Sequence, residues 1–333
     1  MQERRDFLKQ LAMITGSFIP PVSTFAGIGK DKWGDILPLR TLGKTGKKVT
    51  MLGVGGYHVG WTTEKDAEEV IETAMAGGIR FFDTAESYDD GGSEIRYGKY
   101  LVPKYRDEVF IMSKTVAKDA ATAREHLEGT LKRMKCDYLD LWQVHSLQTP
   151  ADVDRRIEND VLAVFEKAKS EGKVKHIGFT GHQNPFAHKH MLEKTEDNDI
   201  FETVQMPINV IDAHFHSFIL NVLPILIKRN FGILAMKTLS DGRFFEEKKV
   251  LDKNIWKSED PLIPNYVSIR EALYFAWSLP ISVLITGAEN KEFMQEKIDL
   301  ARSFVTLSEN ERSELVAKVF QLAGDQIEYY KQV

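Results

Sequence analysis

The chain has 333 residues, 43% of them hydrophobic and 28% charged, enough apolar material for a large core. Lysine and arginine number 44 against 49 aspartates and glutamates, a net charge of −5. With no long basic block, that balance argues against a nucleic-acid partner. The single cysteine, Cys136, excludes an intrachain disulfide, a four-cysteine zinc site and a protein-held iron–sulfur cluster. It reads as a small packing residue, because no charged activating motif surrounds it.

The first segment stands apart. Arg4 and Arg5 precede Asp6-Phe7-Leu8-Lys9, and no further charge appears until Lys30. The apolar stretch from Leu11 to Ile19 is interrupted by Gly16 and followed by Pro20 and Pro21. A membrane-spanning helix needs roughly 20 mostly apolar residues, so no stable anchor is expected here. The charged, apolar and small-residue regions, the last at Thr24-Phe25-Ala26, follow the order of a twin-arginine export signal. This predicts a signal over residues 1–26 and a linker over 27–36. It also predicts the twin-arginine machinery as a transient partner and a periplasmic location. The alternative is a cytoplasmic N-terminal helix that begins with two arginines.

From Leu37 onward strand and helix patterns alternate. Leu37–Leu42 and Val49–Leu52 flank Gly43-Lys44-Thr45-Gly46 and predict a hairpin or short lead-in strand. Thr63 then caps a helix whose apolar stripe is Ala67, Val70, Ile71, Ala74 and Met75, ended by Gly77-Gly78. Eight strands are expected: Met51–Val54, Ile79–Phe82, Val109–Ser113, Leu139–Val144, Val174–Phe179, Thr203–Met206, Gly232–Ala235 and Ser282–Ile285. Amphipathic helical stretches separate them, one carrying Ala123, Leu127, Leu131 and Met134, the next Val161, Leu162, Phe165 and Ala168. Eight βα units in about 250 residues predict a closed (β/α)8 TIM barrel over 37–306. An open dinucleotide-binding sheet should show Gly-x-Gly-x-x-Gly after its first strand, and Gly53-Val54-Gly55-Gly56-Tyr57 lacks that spacing. Residues 307–333 read as a C-terminal helical extension, opened by a Ser308/Glu311 capping box.

Chemistry in such a barrel sits at the carboxyl rim of the strands. Asp83 closes the second strand, Lys114 the third and His145 the fourth, at equal intervals of 31 residues. Tyr88 follows in the loop Glu86-Ser87-Tyr88-Asp89-Asp90-Gly91-Gly92. A free phenol is a poor acid at neutral pH, and a neighbouring ammonium should lower its pKa. Lys114 is the candidate cation, Asp83 its compensating anion, and His145 a donor that could orient a carbonyl oxygen. No serine or cysteine nucleophile stands beside a base, so this group is suited to giving a proton while hydride comes from elsewhere.

Phe81-Phe82-Asp83-Thr84-Ala85-Glu86-Ser87-Tyr88 resembles the second-strand signature of the aldo-keto reductase family. Met112-Ser113-Lys114 and Leu141-Trp142-Gln143-Val144-His145 resemble its third- and fourth-strand motifs, and the likeness runs from Leu37 to Phe304. The resemblance implies an oxidoreductase acting on an aldehyde, ketone or sugar-like carbonyl. Tyr88 would be the acid, Asp83 and Lys114 would tune it, and His145 would orient the carbonyl. NADPH or NADH is the implied hydride donor, with Thr180, His182, Gln205, Met236, Lys237, Leu239, Gly287 and Lys297 as cofactor-binding candidates. His182 stands where the family has asparagine, and Met236 where it commonly has an aromatic ring. The family's basic clamp on the NADPH 2′-phosphate is missing near Gly287 and Phe293, and Glu289 would repel that phosphate. Lys291 and Lys297 are the candidate replacements, so the choice between NADH and NADPH stays open.

Other features leave alternatives. Tyr57 and Trp61 either line the substrate pocket or pack their loop. The segment Ser240–Pro264 is a candidate flap over the rim. The histidines at 182, 188, 190, 214 and 216 lack convincing metal-ligand spacing. Beside the carbonyl reductase stand two further readings. One is an exported enzyme whose tightly bound cofactor shuttles hydride within or between sugars. The other is a non-catalytic barrel serving as sensor or subunit.

Overall fold

The computed structural model describes residues 2–16, 29–245, 248–250, 255–257 and 263–332. Eight parallel strands close into a barrel in sequential order: β1 (Leu52–Gly55), β2 (Phe81–Asp83), β3 (Phe110–Thr115), β4 (Leu139–Val144), β5 (Val174–Thr180), β6 (Thr203–Pro207), β7 (Gly232–Met236) and β8 (Val283–Thr286). β8 closes the cylinder on β1 through Leu284–Leu52 and Thr286–Val54 pairing. The strands differ from their expected bounds by at most two residues at either end.

A strand has a side-chain period of two, and this period builds the interior. Phe81, Met112, Leu141, Leu234, Val283 and Ile285 point inward and form one buried cluster. Stepping two residues toward the carboxyl end from Phe81, Met112 and Leu234 gives Asp83, Lys114 and Met236 on the same inner face. The apolar layer is therefore a floor, and the polar residues above it line the rim.

The opposite end is plugged by the expected hairpin, Leu39–Thr41 paired antiparallel with Lys48–Thr50. It contributes Leu42 and Val49 to the interior cluster. Its turn seats against the start of β7, where a Cβ on Gly43 would lie 2.2 Å from the Gly232 nitrogen. Together with a φ of +49°, that admits only glycine.

Helices cover the barrel, and their caps follow the sequence. The Thr63 hydroxyl accepts the Asp66 amide at 3.1 Å, starting helix Glu64–Ala76, whose five predicted apolar residues are all buried. The Ser308/Glu311 box is formed in both directions, at 3.3 Å and 2.7 Å. The helix Gln2–Gly16 lies on the outside, against helix Glu309–Val319, with Phe7 and Leu11 buried and Phe7 6.3 Å from the Phe320 ring. Residues 24–26, the expected cleavage region, lie outside the described residues. Among the described residues no helix is long and apolar enough to cross a membrane.

The C-terminal extension begins as the helix its capping box predicts. One α-helix, Glu309–Val319, and a short 3-10 turn, Phe320–Leu322, are followed by an irregular tail. That tail returns to the rim. The Gln332 amide donates to the Gln183 carbonyl at 3.1 Å, and Asn209 Nδ2 donates to the Tyr330 hydroxyl at 2.7 Å.

Candidate active site

Lys114, 1% exposed, is the hub of the rim. Its Nζ pairs with the Asp83 carboxylate, donates to the Thr84 carbonyl at 2.8 Å, and donates to the Tyr88 hydroxyl at 3.1 Å. Burial opposes the ammonium, but Asp83 and Tyr88 outweigh it and hold the Lys114 pKa above the usual lysine value. Burial pushes the Asp83 carboxyl up, while Lys114 pulls it back.

Tyr88 is brought to this hub by a tight loop. Asp89, Asp90 and Gly91 all have positive φ, and the Tyr88 amide donates to the Ala85 carbonyl at 3.1 Å. Glu86 fixes the loop from below: its carboxylate accepts the Ser87 amide at 2.9 Å and the Val116 amide at 2.8 Å, joining β2's loop to the end of β3. His126 Nδ1 lies 3.1 Å from the same carboxylate. Sequence reasoning gave Glu86 no role, since nothing local announces a contact to a residue 30 positions away.

The phenol's acidity differs in sign from the sequence expectation. Burial raises the Tyr88 pKa above its ordinary value; Lys114 opposes this, and the carboxylates of Asp83 and Glu86 add to the rise. Desolvation of a buried phenolate outweighs one ammonium that Asp83 already neutralises. His145 sits beside the phenol, with ring centres 5.7 Å apart and Nδ1 3.4 Å from the Ser87 hydroxyl. Burial, then the positive charge of Lys114, hold His145 well below the ordinary histidine pKa, so its imidazole is neutral.

These four residues share a cavity of about 510 Å³ with the cofactor candidates Thr180, His182, Gln205, Met236, Lys237, Leu239, Gly287 and Lys297. Gln205 is 2% exposed, and its side-chain carbonyl oxygen is buried without a partner. An amide N–H from a bound carboxamide would satisfy it, so the cavity fits the nicotinamide group that the resemblance implied. Lys297 Nζ donates to the Gly287 carbonyl at 2.7 Å, and Lys291 is turned outward to Glu69 at 3.2 Å.

Tyr57 lines the cavity and packs edge-on against Tyr88, with centroids 5.6 Å apart. Trp61 does not line it but packs within its loop, the other of the two expected placements. Residues Gly56–Trp61 form a helical turn, and this turn sets Trp61 behind Tyr57 at 5.7 Å.

The cavity also contains residues that sequence reasoning did not find. His58 Nε2 pairs with Asp241 at 2.7 Å and lies 3.8 Å from Glu289, tying together the loops after β1, β7 and β8. Its ring packs so closely that a Cβ on Gly287 would fall 1.8 Å from it. Ser240–Phe245, the start of the expected flap, is tied down by this bridge. Arg243 and Tyr329 line the same wall, the guanidinium 4.1 Å from the ring centre. Among the described residues no group of three His, Cys, Asp or Glu could hold a metal.

A cavity at the carboxyl rim of a parallel barrel, with a lysine-bonded tyrosine and a neutral histidine, defines a barrel oxidoreductase. The Aldo/keto reductase family model matches residues 51–315, and the chain belongs to that family. It is an NAD(P)H-dependent oxidoreductase of aldo-keto reductase type. L-galactose dehydrogenase of Arabidopsis thaliana is 29% identical over 235 residues, covering 63% of this chain and 68% of that one. An aldo-keto reductase of Bacillus halodurans, in its holo form, superposes with a TM-score of 0.71 at 18% identity, covering 88% and 99% of the two chains. One from Klebsiella pneumoniae, in complex with NADPH, gives 0.64 at 20% identity, covering 88% and 95%.

Proposed function

We propose that the chain interconverts a carbonyl and an alcohol, with Tyr88 exchanging the proton at the substrate oxygen. The 3.1 Å bond from Lys114 to the Tyr88 hydroxyl carries this reading. A phenol with a raised pKa is fully protonated at neutral pH and so is loaded to donate. When the proton leaves, the Lys114 ammonium already points at the oxygen that becomes negative, so no reorganisation is needed. The neutral His145 offers an N–H to the same substrate oxygen, and Asp83 keeps Lys114 charged and in place.

A bound NADPH or NADH supplies the hydride. Gln205, Thr180 and His182 would hold its carboxamide end and Met236 its ring face. Gly287, Leu239 and Lys297 would line the remainder. The name of the Arabidopsis relative refers to a sugar, which supports the sugar-like end of the substrate range. The test is transfer of deuterium from C4-labelled NADPH or NADH to the carbonyl carbon across aldehydes and aldoses. Label in the alcohol is expected; carbonyl-dependent cofactor loss without label in the product would refute the reading.

The His58–Asp241 bridge over the cavity favours a second reading, an enzyme that retains its cofactor between turnovers. The arginine pair and apolar segment favour twin-arginine export, a route that carries folded, loaded proteins. Mass analysis of gently released cofactor tests the first point. Cell fractionation of the Arg4→Lys/Arg5→Lys chain tests the second, with loss of periplasmic protein expected.

A further inference from the structure

We propose that the N-terminal helix Gln2–Gly16 pins the C-terminal tail that walls the cavity, so that the cofactor leaves more slowly while the helix is docked. The inference rests on the reading above only for what the cavity holds; the pinning rests on contacts between the two chain ends.

Phe7 and Leu11 stand at i and i+4, so they share one face of the helix, and both are buried. Arg5, Lys9 and Gln10 are exposed. An isolated helix of 15 residues is marginal in water, so this one persists by docking and is released when that contact breaks. It docks on helix Glu309–Val319 and the Phe320 ring that follows it, and on the short helix Phe218–Asn221.

These two places are the two anchors of the tail. Phe320 stands at its start, the ring centre 6.3 Å from Phe7 and 4.9 Å from His214 in the loop after β6. Lys331 secures its end, at the first turn of the short helix. There the Asp212 carboxylate accepts the Phe218 amide at 3.1 Å, the Ile219 amide at 2.7 Å and the buried Lys331 ammonium. Lys331 also donates to the Phe215 carbonyl at 2.7 Å. Residues 323–330, between the anchors, form no helix or strand, so their position depends on the contacts at either end. This stretch places Tyr329 in the cavity wall, and the Tyr330 carbonyl accepts from His182 Nδ1 at 3.3 Å. One docked helix thus steadies both ends of the segment that closes that wall. Under the export reading the leader becomes a retention device: the precursor keeps its cofactor loaded, and cleavage at residues 24–26 lifts the pin.

Hydrogen exchange and NADPH release are measured on the full chain and on Phe7→Ser/Leu11→Ser, which unseats the helix without shortening the chain. Amides of residues 323–332 should exchange at least about tenfold faster in the variant, a change smaller than the burial of one such side chain can produce, while the barrel strands keep wild-type protection. Stopped-flow fluorescence should show NADPH leaving severalfold faster. Phe320→Ala, which removes the ring on the receiving side, should reproduce both effects, and Lys9→Ser/Gln10→Ser, at exposed positions, neither. Unchanged exchange in the tail overturns the proposal. So does a loss of protection spread evenly over barrel and tail, because the helix then adds only general stability. A loosened tail with wild-type NADPH release overturns it as well. If no dinucleotide binds the wild type, the cofactor reading fails, and tail exchange alone decides whether the helix pins the tail.

Discussion

Replacing Lys114 by methionine should damage the protein in two separable ways. The lysine and Asp83 side chains are 1% and 4% exposed, so the pair is desolvated on both sides. Removing one partner of a buried pair strands the other at a cost of about 3–5 kcal/mol, against a total stability of roughly 5–15 kcal/mol for a typical domain. The same change removes the donor that stabilises the departing phenolate, a loss of roughly 10²–10⁴ in turnover. The double change Asp83→Asn/Lys114→Met separates the effects, since a neutral amide has no charge to strand. Urea denaturation should show Lys114→Met strongly destabilised and the double variant recovering most of the loss. Carbonyl-dependent cofactor oxidation should stay equally low in both. A Lys114→Met chain as stable as wild type, or a double variant that regains activity with its stability, would refute the reasoning.

Three further outcomes follow. Glu328 lies buried with Lys331 and Asp212, so one ammonium serves two carboxylates; burial raises the Glu328 pKa to about 8, with Lys331 opposing and Asp212 adding to the rise. A folded-state pKa above the unfolded one means that the folded chain binds the extra proton, so stability should fall as pH rises from about 5 to about 8. The slope should approach 1.4 kcal/mol per pH unit, and Glu328→Gln should flatten it in pH-dependent denaturation. Asp241→Asn weakens the bridge to His58 across the cavity, and stopped-flow fluorescence should show cofactor leaving about tenfold faster, the scale of a charge-assisted hydrogen bond. Glu86→Ala frees two amides that hold the Tyr88 loop, so kcat should fall while NADPH affinity, read by fluorescence quenching, changes little.

The barrel and its reactive rim were legible because both rest on local periodicity. The period of two that turns Phe81 and Met112 inward also turns Asp83 and Lys114 inward, so matched strand ends predicted one shared site. What sequence left open depends on long-range or three-dimensional terms. Whether Trp61 lines the pocket or packs its loop stayed open because the helical turn Gly56–Trp61 decides it, and no sequence signal announces that turn. The sign of the Tyr88 shift depends on how deeply the phenol is buried, which residue types alone do not state. The tail that brings Tyr329 to the cavity is anchored by Lys331 and Asp212, 119 residues apart, and no motif links them. His58 and Asp241 meet only because β1 and β7 flank β8 in the closed cylinder.

The central claim is that Tyr88 carries the proton and Lys114 prepares it. Tyr88→Phe keeps the ring against Tyr57 and His145 and removes only the hydroxyl. Single-turnover hydride transfer with saturating NADPH should slow by at least roughly 10²-fold, with cofactor affinity within about twofold of wild type. A variant that transfers hydride at the wild-type rate would contradict the account.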